Sequence, residues 1–153
     1  MSRKIYAALA TAILVGVAAV SIAAASTPAI TTSQTVALVA RGGTSRYVDN
    51  GRTGASIGDG VILNQPLYWA SDPSKLAGRG HVAVLLEGNG ISQDTADIVL
   101  SGGQISIQGF QHRGSTFRLA VVGGTGRYAN VRGEAMVTLL PHNAYTVTIE
   151  LTP

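Results

Sequence analysis

Three histidines, eight carboxylates and no cysteine are what this 153-residue chain offers for chemistry. Without cysteine there is no thiolate nucleophile and no thiolate metal site. His81, His112 and His142 lie in separate segments with neither HxH nor HExxH spacing, so no metal centre is expected. No serine occupies a G-x-S-x-G elbow. Gly123-Gly124-Thr125-Gly126 has the composition of a phosphate-cradling loop, but that mechanism needs a helix N-terminus directly behind the glycines. Tyr128-Ala129-Asn130-Val131-Arg132-Gly133 is a poor start for a helix, so the glycines read as a tight strand connection. What remains is acid–base or electrostatic work by carboxylates, amides and arginines in an interior that excludes water. Asp59 stands at the start of a strand, where it either points into a cavity mouth or hydrogen-bonds a neighbouring turn.

The elements that must position such groups are strands. Around the glycine turn, Phe117, Leu119 and Val121 alternate with Arg118 and Ala120, and Ala135, Val137 and Leu139 repeat the period of two. Further strands are expected over 35–41, 57–68, 79–87, 95–101, 104–110 and 143–152, giving eight with the hairpin. Residues 42–56 read as a loop and 69–78 as a long turn, while Pro66 suits an edge or strand end. Gly43-Thr44-Ser45-Arg46-Tyr47 echoes Gly124-Thr125-Gly126-Arg127-Tyr128, as a weak repeat or as turn chemistry alone. Eight short strands without a helical-period segment suit an all-β fold, an eight-stranded antiparallel up-and-down β-barrel. The interior of such a barrel is just wide enough for one small apolar ligand.

Composition narrows the partners. Charged residues are 12% of the chain against a usual share of about a quarter, which favours strands and turns over solvated helices. Of eleven basic residues, Arg3 and Lys4 belong to the N-terminal segment, which leaves nine basic against eight acidic residues and no stripe for nucleic acid. Residues 1–25, a short basic end, an apolar run and Ala23-Ala24-Ala25, have the layout of a secretory signal peptide, and an uncleaved membrane anchor is the alternative. Either form implies a secreted, periplasmic or cell-envelope protein. Residues 26–34 read as a flexible linker and 35–153 as one barrel domain.

The run from Val121 to Tyr128, followed by Arg132-Gly133-Glu134-Ala135, closely resembles the GGTG-aromatic and RG[YE]A signature of plant dirigent proteins, and the GGAG segment of allene oxide cyclases. Gly58-Asp59, Pro66-Leu67-Tyr68, the segment from Lys75 to Arg79 and Ile105-Ser106-Ile107-Gln108-Gly109 fall in the same order, so the likeness covers about 57–151. The resemblance implies an eight-stranded barrel, a homotrimer, and a small hydrophobic ligand whose stereoselective cyclisation or coupling is guided without metal or organic cofactor. By the same resemblance Asp59 and Gln65 are the catalytic candidates, Gln65 standing where the cyclases carry an amide that holds a water. Asn64, Tyr68, Gln108, Arg118 and Tyr145 are the candidate substrate contacts.

Where the chain departs from those families, the constellation is in question. The first-strand acid of both families has no counterpart in Thr35-Val36-Ala37-Leu38-Val39-Ala40. Two other readings therefore stand beside an isomerase of the cyclase type: a non-catalytic carrier for an apolar metabolite, and a structural envelope domain whose barrel is packed solid. A convergent polar cluster in a cavity favours catalysis, an apolar void favours carriage, and no void favours structure.

Overall fold

The computed structural model describes residues 29–142 and 144–153. The expected export segment, 1–25, lies outside the described residues, as does the start of the 26–34 connector. Nine strands follow: β1 (Gln34–Ala40), β2 (Thr44–Val48), β3 (Gly60–Trp69), β4 (Asp72–Gly88), β5 (Ile91–Leu100), β6 (Gly103–Gln111), β7 (Thr116–Gly124), β8 (Arg132–Leu140) and β9 (Ala144–Thr152). The one helical element among the described residues is a 3-10 turn, Gly126–Tyr128.

Every pairing is antiparallel, in the order β1-β9-β8-β7-β6-β5-β4-β3-β2, and β1 also pairs with β3. That second pairing closes eight strands, β1 and β3 to β9, into the expected barrel, with β2 as an additional flap on β3. Closure leaves the barrel strands no free edge, and the flap's own edge is blunted by its shortness and by Arg46.

Three expected boundaries are corrected. Residues 69–78 are not a long turn: β3 runs to Trp69, β4 starts at Asp72, and the connection is Ala70-Ser71. The loop 42–56 contains β2, so the Gly43–Tyr47 echo is not structural; one copy is a strand and the other closes a 3-10 turn. β5 begins at Ile91 rather than Thr95. Pro66 lies inside β3, where its missing N–H costs nothing. On that side β3 pairs with β2 through Asn64 and with β1 from Leu67, so Pro66 falls in the gap between neighbours.

Alternation decides what fills the barrel. Val36 and Leu38 on β1, Ile105 and Ile107 on β6, Leu119 and Val121 on β7, and Val147, Ile149 and Leu151 on β9 point inward and are buried. Each such side chain contributes roughly 1.5–3 kcal/mol by leaving water. At one end the segment 125–131 folds over the opening and plugs it with Tyr128 and Val131. The plug is pinned to the β5–β6 hairpin, since Thr125 N–H donates to the Gln104 carbonyl at 2.9 Å and Arg127 N–H to the Gly102 carbonyl at 2.8 Å. The backbones meet so closely that a Cβ on Gly126, where φ is +58°, would overlap the Gly102 carbonyl oxygen. This is why the turn needs glycine.

Gly126→Ala is accordingly expected to cost about 1–3 kcal/mol of unfolding free energy, whereas Val122→Ala on the exposed face of β7 changes it little. Urea denaturation of the two variants checks this; equal stabilities would mean that the plug does not hold the barrel.

Candidate functional site

The opposite end of the barrel is open. It is ringed by the β4–β5, β6–β7 and β8–β9 connections, the Arg41-Gly42-Gly43 corner and the loop 49–59. Between this mouth and the plug lies a cavity of about 110 Å³, so the barrel is not packed solid by its own side chains. Its walls are apolar, with Val82, Leu119, Val137 and Val147 among them, and the space exists where Gly80 and Ala96 present little or no side chain on adjacent strands.

Three polar residues break the apolar lining: Asp94 on β5, Gln111 at the end of β6 and Tyr145 at the start of β9. Asp94 is 4% exposed and accepts a hydrogen bond from the Ser92 hydroxyl at 2.8 Å. Burial pushes its pKa above the usual carboxylate value and outweighs the Ser92 hydrogen bond, which acts the other way. Burial also pushes the Tyr145 phenol up to about 12, so it remains an O–H donor across the physiological range. A carboxyl biased by burial toward its protonated form, a phenol and an amide facing one apolar cavity can hydrogen-bond an oxygen of a small molecule, with water excluded from the contact.

Of the sequence candidates, Tyr145 lines this cavity and Gln65 lies at its mouth. Gln65 points inward from β3 and is 5% exposed, and its Oε1 has no hydrogen-bond partner. Asn64, one residue away on the opposite face, is exposed and lies 2.5 Å from His81 Nδ1. Gln108 and Arg118 are exposed on the outer face of the barrel, where Arg118 pairs with Glu134. Tyr68 is half-buried beneath the Arg41 guanidinium, 4.8 Å from its ring centre. These four do not line the cavity.

Asp59 is fully buried but holds the loop 49–59 instead of facing the cavity. The Tyr47 hydroxyl donates to its Oδ2 at 2.5 Å, the Ser56 N–H donates to the same oxygen at 2.5 Å, and the Asn50 N–H donates to Oδ1 at 2.8 Å. These donors, Tyr47 foremost, lower its pKa to about 2, while the same contact raises that of Tyr47 to about 12. The loop is further laced to β4, with Leu86 N–H donating to the Asp59 carbonyl and Gly58 N–H to the Leu86 carbonyl, both at 2.9 Å.

Asp94, Ser92 and Gln111 were not among the sequence candidates. The signal for Asp94 and Ser92 was phase: they keep step with Ala96, Ile98 and Leu100, so the apolar face of that strand carries them inward. A strand begun at Thr95 stops one residue short of the acid.

Because the folded pKa of Asp59 lies below its usual 3.8, its contribution to stability is present above about pH 4 and is lost as the pH falls through about 2. Asp59→Asn is expected to lose that contribution at neutral pH and to converge with the native protein in acid, read from urea midpoints against pH. Asp59→Ala also frees the loop, so trypsin is expected to cut after the exposed Arg52 several times faster. Unchanged midpoints and cleavage would contradict the tie.

Comparison with known proteins comes to the same architecture. The model of the Dirigent-like protein family matches residues 23–152. Among solved structures, a pyocyanin demethylase superposes with a TM-score of 0.69 at 25% identity, over 78% of this chain and 100% of its own. A pterocarpan synthase dirigent protein gives 0.62 at 16% identity, over 80% and 90%. The Diels Alderase AbmU from Streptomyces koyangensis gives 0.63 at 13% identity, over 78% of this chain and 63% of its own. At 16% and 13% identity the likeness is one of fold. No curated protein sequence matches the chain.

Proposed function

Since the chain belongs to the dirigent-like protein family, we propose that its barrel binds a small, largely apolar molecule and steers its cyclisation or coupling to one stereochemical outcome. The observation that carries this reading is the apolar cavity with Asp94, Tyr145 and Gln111 on its wall. The family match and the structural likeness to a dirigent protein and a Diels Alderase support it.

The chemistry follows from the walls. A narrow apolar cavity admits few conformers of a flexible substrate, so the reacting atoms meet without the entropy cost they bear in water. Asp94, whose protonated form is favoured by burial, donates a hydrogen bond to a substrate oxygen on which negative charge develops. The Tyr145 phenol is a second donor at the mouth side of the same space, and Gln111 offers an amide there. Substrate enters by the mouth, because the other end is closed by Tyr128 and Val131. Assembly as a homotrimer is part of the proposal; the exposed Ile62, Leu85, Phe110 and Val122 on the outer face are apolar surface that such packing would cover. Export through 1–25 likewise belongs to it.

Native mass spectrometry of the protein purified from its own host tests the binding step. A small lipophilic molecule is expected to be retained by the native protein and lost at least tenfold in Ala96→Phe, whose ring fills the cavity. Asp94→Asn is expected to keep the ligand and slow its conversion by about 10²-fold or more. Retention by Ala96→Phe would move the site out of the barrel. A ligand returned unchanged by both the native protein and Asp94→Asn would make the barrel a carrier.

A further inference from the structure

The barrel cavity is smaller than the substrate that a cyclisation or coupling requires. A void of about 150 Å³ holds one benzene, so the cavity of about 110 Å³ holds no more than a single small ring. The rest of the molecule must lie in the mouth. There a cleft of about 560 Å³ adjoins the cavity and shares Leu63, Leu139 and Tyr145 with it.

Gln65 stands in this cleft with its side chain buried and its Oε1 unpartnered. A buried acceptor left without a donor costs stability, and an apolar residue of similar shape would avoid the cost. Gly43 packs its backbone directly against this segment: φ is +108° there, and a Cβ would overlap the Asn64 carbonyl oxygen and stand 3.1 Å from Gln65 Cγ. Among the described residues the lining of the cleft holds no lysine, arginine, aspartate or glutamate; besides Gln65 and Tyr145, its polar side chains are those of Thr44, Ser45 and His142.

We propose that the cleft is a second subsite, in which Gln65 Oε1 accepts a hydrogen bond from a hydroxyl or N–H on the part of the substrate that stays outside the barrel. This rests on the barrel being the substrate site. The substrate class is then a two-part molecule, with an apolar ring-sized portion inside and a neutral hydrogen-bond donor on the portion at the mouth. The arrangement also fixes which end of the molecule enters first, since the opposite orientation would leave Gln65 unpartnered.

A matched pair of compounds, 2-phenylethanol and propylbenzene, tests the subsite by calorimetric titration of the native protein, Gln65→Leu and Gln65→Met. The two compounds differ in a terminal hydroxyl against a methyl. Both variants are expected to bind 2-phenylethanol about tenfold more weakly than the native protein, to bind propylbenzene at least as well, and to melt no lower. Native binding of both compounds in a ratio that the variants leave unchanged would overturn the subsite while leaving the barrel reading in place. If neither compound bound the native protein, both proposals would fall. A lower melting temperature in both variants would show that the Gln65 amide has a partner within the protein, and would overturn the subsite as well.

Discussion

Three residue pairs between β1 and β3 decide whether this chain has an interior. Leu38 meets Trp69, Val39 meets Tyr68 and Ala40 meets Leu67, while the other edge of β1 is fully paired with β9. Without the first set the nine strands would form an open sheet with one apolar face exposed to water. With it, that face becomes the inside of a barrel. The corner at Arg41-Gly42-Gly43 and the position of Pro66 follow from the same constraint, because β3 must give up β2 as its neighbour in order to take β1.

Closure alone would give a filled barrel; the asymmetry of the two ends gives a site. One end is stopped by the glycine turn, which can approach the β5–β6 hairpin because Gly126 has no Cβ. The other keeps its opening, and small residues at Gly80 and Ala96 leave a void behind it. Two aspartates then show how environment assigns roles. Asp59 collects three hydrogen bonds and is held ionised in a loop, while Asp94 has Ser92 alone and an apolar setting that favours its protonated form. The first ties a loop, and the second is a buried carboxyl on the cavity wall.

The alternation in β7, β8 and β9 made the barrel legible from sequence, because inward positions there are apolar apart from the Tyr145 hydroxyl. The glycine turn was legible for the same reason, through the spacing of residues that tolerate a positive φ. Less legible was the inward face of β5, whose first two members, Ser92 and Asp94, are polar and look like loop. Asp59 was misleading in a related way: a carboxylate beside glycine at a strand start has the same local sequence whether it faces a cavity or ties a loop. Only the long-range partner Tyr47, twelve residues away, separates the two cases. The outward direction of Arg118, Gln108 and Asn64 follows from strand phase, once the register of the closed barrel is known.

Xenon bound under pressure to crystals of the protein would test the central claim most directly, since xenon enters apolar voids irrespective of any substrate. A xenon atom is expected inside the barrel, in contact with Val82, Leu119, Val137 and Val147 and on the mouth side of the plug. A barrel interior without xenon, its space taken up by the side chains of Phe117 and Leu119, would contradict it.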